Sequence, residues 1–142
     1  MIKNENGHEL AGGKILCLID FSDASQQALR WATKMAETTH AYLTVLYSYR
    51  LLESKIEVIQ KKKQTEVDAL KKFLLWESEI LNNKKIEYEF RSEVGFMADR
   101  VEAFVSQNPV RMLVIHKDMM KSSGETFQPV IDHLQVPLVL VP

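Results

Sequence analysis

Apolar residues in this chain are grouped into short runs, and segments with helical periodicity separate them. Four runs are unbroken or nearly so, which is typical of parallel strands that are buried on both faces. These runs are Ile15–Ile19, Tyr42–Tyr47, Met112–Ile115 and Val136–Val141. A fifth segment, Ile86–Phe90, alternates apolar and charged residues, so we predict that it forms an edge strand with one wet face.

Helical periodicity fills the intervals between these strands. The predicted helices run from Ser22 to about Thr38, from about Leu52 to Leu81, from Gly95 to Asn108, and through a short segment from Phe127 to Leu134. Strands that alternate with helices predict a three-layer α/β/α sandwich around a five-stranded parallel sheet. We assign residues 14–142 to one domain and expect residues 1–13 to be a flexible lead-in rather than an element.

The second predicted helix carries one long apolar stripe, which we expect to pack against the sheet. Its members are Leu52, Ile56, Ile59, Val67, Leu70, Leu74 and Leu81. Lys63 occupies a position in the stripe, so the pattern predicts a bend or a polar exit from the core near residues 61–63. Charge pairs at i, i+4 favour a solvated helix face over a basic binding patch here.

Composition is that of an ordinary globular domain, with 46% hydrophobic and 26% charged residues. A net charge of -1 and a pI near 6.4 give no electrostatic signal for nucleic acid or an anionic membrane. The polar segment Met1–Glu9 lacks the apolar stretch of a secretion signal, so we expect a cytoplasmic protein. Cys17 is the only cysteine and lies within the first apolar run, which excludes an internal disulfide and favours a core position.

The junction between the first strand and the first helix is the strongest candidate for a site. Asp20 follows the strand directly, at the edge of the sheet where open α/β folds bind ligands. Ser22 is placed to cap the helix that follows, and Asp23 suits the positive end of that helix. One strand-end carboxylate beside one exposed carboxylate does not make an acid/base pair, so we identify no catalytic residue here.

The order and spacing of several residues resemble the universal stress protein family. The resemblance is carried by Asp20, Ser22, Ser25, Ala28, Leu29, Ala32, the segment Leu43–Ser48, Gly95 and the ending Val136–Val141. It implies the strand order 3-2-1-4-5 of the adenine nucleotide alpha hydrolase-like fold, and homodimerisation. In one branch of the family it also implies adenine nucleotide at the carboxyl edge of the sheet.

The chain departs from the phosphate-binding motif of that branch, which has Gly-x-x-Gly, nine residues, and then Gly-Ser/Thr. His116 and Met119 stand where the first two glycines are expected, and Glu125 replaces the hydroxyl residue after Gly124. The loop is also about five residues short. A carboxylate about 4 Å from a phosphate charge costs roughly 4 kcal/mol at an effective dielectric near 20. ATP and AMP are therefore disfavoured, and we expect no cofactor.

Several polar residues remain as candidates for a small ligand or nucleotide pocket. They are Asp20, Ser22, Ser48, His116, Lys117, Ser122, Ser123, Gly124 and Thr126. The simpler interpretation is that Ser122 or Ser123 only caps the last helix and that His116 is structural. No spacing of histidines or carboxylates indicates a metal site.

Three functions stay open at this point. We favour a non-enzymatic, cytoplasmic stress-response or signalling protein that is a homodimer without tight ATP binding. A nucleotide sensor or slow ATPase with a reshaped loop is the alternative. A phosphoacceptor receiver domain is disfavoured because Arg91-Ser92 stands where an aspartate is needed.

The last strand is the predicted dimer interface, because it is an apolar edge strand that carries no charge to discourage pairing. Its interface residues are Val136, Leu138, Val139, Leu140 and Val141.

Overall fold

The computed structural model describes residues 2–3, 9–10, 12–51, 57–122 and 127–142. Two short strands, β1 (Ile2–Lys3) and β2 (Glu9–Leu10), pair antiparallel in a small sheet of their own. The expectation of no element before Lys14 is therefore wrong for these four residues. Paired segments of two residues are too short to show an apolar pattern, which is why the sequence does not reveal them.

The main sheet contains five strands, and every neighbouring pair is parallel. The strands are β3 (Lys14–Ile19), β4 (Tyr42–Tyr49), β5 (Tyr88–Val94), β6 (Val110–His116) and β7 (Leu138–Val141). Their spatial order is β5-β4-β3-β6-β7, which is the predicted order 3-2-1-4-5. The predicted α/β fold is confirmed.

Helices cover both faces of this sheet. They are α1 (Asp23–Thr39), α2 (Val58–Trp76), α3 (Met97–Gln107), α4 (Lys117–Ser122) and α5 (Gln128–His133), and a π-helical turn, Glu77–Leu81, extends α2. One core cluster joins the sheet to α1 and α2, and a second joins it to α3 and α4. None of the helices among the described residues has the length and apolar character needed to cross a membrane.

Burial of the central strands follows from their composition. Residues 15–19 of β3 are all buried, and Cys17 is fully enclosed. Burial raises the pKa of the Cys17 thiol well above its ordinary range, which agrees with a core residue rather than a reactive one.

The boundaries of two strands differ from the prediction. The edge strand β5 begins at Tyr88 instead of Ile86 and continues to Val94, because alternation persists through Arg91 and Glu93. The last strand begins at Leu138 instead of Val136. Pro137 has no N–H to donate, although its carbonyl accepts a hydrogen bond from the N–H of Leu113 at 2.9 Å.

Most of the apolar stripe predicted on α2 does not pack inward, and of its described members only Leu81 is buried, in the π-helical turn that extends the helix. Ile59, Val67, Leu70 and Leu74 are exposed, and Leu52 and Ile56 lie outside the described residues. The buried face consists of Ala69 and Phe73, continued by Ile80 and Leu81. Phe73 stacks on Phe90 of β5 with ring centroids 4.4 Å apart, and this aromatic contact sets which face of α2 is turned inward. Residues 59–64 are exposed, as the predicted polar exit requires.

Candidate functional site

The turn between β3 and α1 is built around the carboxylate of Asp20. Its Oδ1 accepts a hydrogen bond from the N–H of Ser22 at 3.0 Å and another from the Ser22 hydroxyl. The Ser22 Oγ in turn accepts the N–H of Ser25 at 3.1 Å, so Ser22 is the N-cap of α1 as predicted. The Asp20 N–H donates to the Ser25 hydroxyl at 3.2 Å. One carboxylate oxygen therefore holds the turn closed while the side chain remains exposed.

Phe21 adopts an unusual backbone conformation in the middle of this turn. Its φ of 63° lies in the left-handed region, which costs a non-glycine residue about 1–3 kcal/mol unless surrounding contacts hold it. The Phe21 ring contacts Tyr47 at 4.9 Å and Trp76 at 5.2 Å between centroids. The Lys72 ammonium lies 5.6 Å from its ring centroid. Phe21 thus attaches α2 to the carboxyl edge of the sheet.

Tyr47 lies near Asp20 at the end of β4. Burial of its ring, together with the negative charge of Asp20, raises the pKa of the Tyr47 phenol above its ordinary value. The phenol therefore stays protonated at neutral pH. Neither Phe21 nor Tyr47 could be identified as a site residue from the sequence, because apolar and aromatic positions next to a strand end usually indicate core packing.

His116 ends β6 and is only 4% exposed. Its Nδ1 accepts the N–H of Asp118 at 3.0 Å, in the first turn of α4. The carboxylate of Asp118 lies 3.8 Å from the same nitrogen, but it is largely solvent-exposed. His116 therefore acts as a helix cap at the position where the resemblance places the first phosphate-binding glycine.

Helix α4 starts directly after β6, at Lys117. Met119 stands where the resemblance places the second glycine, and its side chain is 1% exposed and belongs to the core cluster on the α3 side of the sheet. Two contacts therefore disfavour phosphate at this junction. The backbone N–H of Asp118 already has His116 as its partner, and Met119 holds the helix against the core.

The remaining pocket candidates do not converge on one point. Side chains alternate between the two faces of a strand, so Ser48 shares the face of buried Leu46, on the α3 side. His116 shares the face of Val114, on the α1 side. Lys117 is exposed. Ser123, Gly124 and Thr126, and the side chain of Ser122, lie outside the described part of the chain.

Three surface grooves of about 360–370 Å³ are formed by described residues. Asp20, Ser48 and His116 line none of these three. The groove between α2 and β5 is lined by Lys63, Glu66, Val67, Leu70, Phe90 and Ser92. The described part of the candidate site can therefore offer an exposed carboxylate and a phenol to a ligand, but its β6–α4 side is closed by packing.

Comparison with known proteins covers nearly the whole chain. The family model described as "Universal stress protein family" matches residues 13–142. No curated protein sequence matches the chain at a significant level.

Solved structures share the fold at low sequence identity. A universal stress protein UspA from Lactobacillus plantarum has a TM-score of 0.74 at 17% identity, over 94% of this chain and 100% of that one. A universal stress protein from Archaeoglobus fulgidus in complex with dAMP has a TM-score of 0.64 at 20% identity, over 94% and 100%. A family protein from Arabidopsis thaliana with AMP bound has a TM-score of 0.59 at 14% identity, over 91% and 90%. At these identities the likeness shows the fold alone.

Proposed function

The chain belongs to the universal stress protein family, and from this premise we propose that it is a non-enzymatic stress-response or signalling protein of the cytoplasm. It works as a homodimer and does not bind ATP tightly. It acts through a surface that other proteins bind, and it catalyses no reaction. The alternative is an adenine-nucleotide sensor or slow ATPase.

The observation that supports weak ATP binding is the junction of β6 and α4. A phosphate group needs free backbone N–H groups that it can approach closely. Here the N–H of Asp118 is bonded to the His116 imidazole, and Met119 fixes the helix to the core. A triphosphate would have to break that hydrogen bond and displace a buried side chain.

The part of the site at the ends of β3 and β4 supports a second candidate function, which is the binding of an adenine nucleotide with a single phosphate. Asp20 remains exposed beside Tyr47, and two structures that share this fold hold AMP or dAMP. A nucleoside monophosphate needs fewer free backbone donors than ATP does. This candidate would make the protein a sensor of adenylate levels.

Calorimetry with ATP and AMP separates these functions. We expect a Kd for ATP weaker than about 100 μM, which corresponds to a binding free energy smaller than about 5.5 kcal/mol. Low-micromolar ATP affinity would refute the main proposal. Low-micromolar AMP affinity without ATP affinity would establish the second candidate instead.

A matched variant locates any binding that is observed. Asp20→Ala removes the exposed carboxylate at the carboxyl edge of the sheet, whereas Asp118→Ala removes an exposed carboxylate from α4 and leaves its backbone N–H in place. Nucleotide bound at the edge formed by β3 and β4 should be lost only in the first variant. Native mass spectrometry of freshly purified protein reports any retained nucleotide and the number of subunits together.

A further inference from the structure

Helix α2 exposes an apolar stripe beside its buried face, where the helix meets the edge strand β5. Val67, Leu70 and Leu74 are 41%, 49% and 50% exposed. They are spaced three and four residues apart, so they lie on one face of the helix. We call these three residues the α2 stripe.

The α2 stripe continues into the groove beside the edge strand β5. Val67 and Leu70 line that groove together with Phe90, and the groove measures about 370 Å³. The edge strand β5 is a poor pairing partner, because it carries three charged residues, Glu89, Arg91 and Glu93, and charges in an edge strand discourage the addition of another strand. A partner on this side of the molecule therefore meets the helix rather than the strand.

Charges at the two ends of the α2 stripe have opposite sign and equal spacing. Lys63 precedes Leu70 by seven residues, and Glu77 follows it by seven. Seven residues are about two helical turns, so all three side chains lie close to one line along the helix. The Glu77 carboxylate is held at this surface by the Tyr88 hydroxyl, which donates to it at 2.6 Å.

We propose that the α2 stripe docks against the α2 stripe of a second copy of this chain, with the two helices antiparallel. A two-fold axis beside Leu70 places Lys63 of each copy next to Glu77 of the other, and Val67 next to Leu74. Parallel packing would instead bring Lys63 to Lys63 and Glu77 to Glu77, which is repulsive. The charge pattern therefore favours a second copy of this chain as the partner, with its α2 antiparallel to the first.

This interface lies on the opposite edge of the sheet from β7. The region from Lys63 to Glu77 is about 21 Å long at 1.5 Å per residue. One helix face of this length, with three apolar side chains, buries less area than the roughly 800 Å² per partner of standard interfaces. We therefore expect a weak affinity. A chain that used both edges would form assemblies larger than a dimer as its concentration rises.

Sedimentation velocity of the full chain between about 5 and 500 μM tests the apolar part of the proposal. We expect a concentration-dependent species that Leu70→Glu removes, with at least a tenfold weaker association constant. Leu75→Glu is the matched control, because Leu75 is 66% exposed on another face of α2 and should leave association unchanged. A wild type without any species sensitive to Leu70→Glu would overturn the proposal and leave the stripe to a different protein.

A charge exchange tests the direction of packing. Lys63→Glu alone and Glu77→Lys alone should each weaken association, whereas the double variant should recover it because the pairs are restored in reverse. Circular dichroism confirms folding, which matters for Glu77→Lys since it loses the Tyr88 contact. A folded double variant that associates no better than the single variants would exclude the antiparallel arrangement.

Discussion

The carboxylate of Asp20 has a structural task whether or not a ligand binds near it. Its Oδ1 accepts both the N–H and the hydroxyl of Ser22 and so supports the left-handed conformation of Phe21 between them. An asparagine oxygen can accept the same N–H without a charge. We expect Asp20→Asn to remain folded and to lower the free energy of unfolding by about 1–2 kcal/mol.

Urea denaturation at neutral pH measures this loss, and Asp23→Asn is its control because Asp23 is an exposed residue at the start of the same helix. Loss of the folded state on Asp20→Asn would show that Asp20 anchors more of the structure than this turn. A change below about 0.3 kcal/mol would show that the negative charge of Asp20 adds little to these two hydrogen bonds.

Tyr88 couples the stability of the α2 side to alkaline pH. Burial and the hydrogen bond to Glu77 raise the pKa of Tyr88 to about 12, from an ordinary value of about 10. The folded state then holds a proton that the unfolded state releases, so this contribution is complete below pH 10 and is lost as pH rises towards 12.

Comparison of wild type with Tyr88→Phe isolates this contribution. We expect the variant to be less stable by about 1 kcal/mol at pH 8, and the difference to shrink between pH 10 and 12. Guanidinium titrations at several pH values give the two curves. A difference that stays constant across this range would mean that Tyr88 titrates alike in both states.

At the scale of elements, His116 determines how β6 passes into α4. Two substitutions separate its cap from its packing. His116→Asn keeps a side-chain acceptor for the N–H of Asp118, while His116→Leu keeps apolar volume and has no acceptor. Since loss of an N-cap typically costs about 1 kcal/mol, we expect His116→Leu to expose the α4 amides to faster hydrogen exchange and His116→Asn to protect them better.

Hydrogen exchange read by mass spectrometry over residues 117–122 reports this local effect, with the amides of α1 as the internal reference. Equal exchange of α4 in both variants would show that the imidazole contributes only through burial. A selective rise in His116→Leu would confirm the cap.

The strands were predictable from sequence because a strand that is buried on both faces is apolar at nearly every position. Residues 15–19 are all apolar and all buried, so their sequence predicts such a strand directly. Helix α2 was not predictable in the same way, because it carries two apolar faces. The longer stripe suggested the core, but Phe73 and Ala69 fit the aromatic surface of β5 better than Leu70 and Leu74 do.

The candidate site was predictable only in part, for a similar reason. Local signals in the sequence identify Ser22 as a cap, since capping depends on residues three positions apart. The role of His116 depends on a contact with a backbone N–H whose helix the sequence pattern did not indicate. The left-handed φ of Phe21 likewise follows from its packing on Tyr47 and Trp76, which are distant in sequence.

At the scale of the whole molecule, the two edges of the sheet are different surfaces. The β5 edge carries charges at Glu89, Arg91 and Glu93, whereas β7 consists only of Leu and Val. Leu140 in β7 is 48% exposed. An uncharged apolar edge is an aggregation hazard unless it is paired. This contrast supports the proposal that β7 pairs antiparallel with β7 of a second subunit.

The register of β6 and β7 shows which residue tests this interface. Leu113 donates to the carbonyl of Pro137, so in a parallel ladder the N–H of Val139 also points towards β6, while the N–H of Leu140 points to the free edge. Leu140→Pro should therefore remove an intersubunit hydrogen bond and leave the internal ladder intact, whereas Val139→Pro should destabilise the fold itself.

Light scattering with size-exclusion chromatography measures the outcome. We expect Leu140→Pro, and also Leu140→Lys, to shift the protein to a monomer at about 10 μM, with unchanged circular dichroism. Leu75→Lys places the same charge on an exposed leucine of α2 and should leave the dimer intact. Because neither Leu140 nor Leu75 is buried, comparing the two lysine variants separates the effect of a position on the β7 edge from the effect of an added charge. A monomeric wild type would refute the proposed homodimer, whereas a folded Leu140→Pro variant that still dimerises would place the dimer contact elsewhere on the molecule.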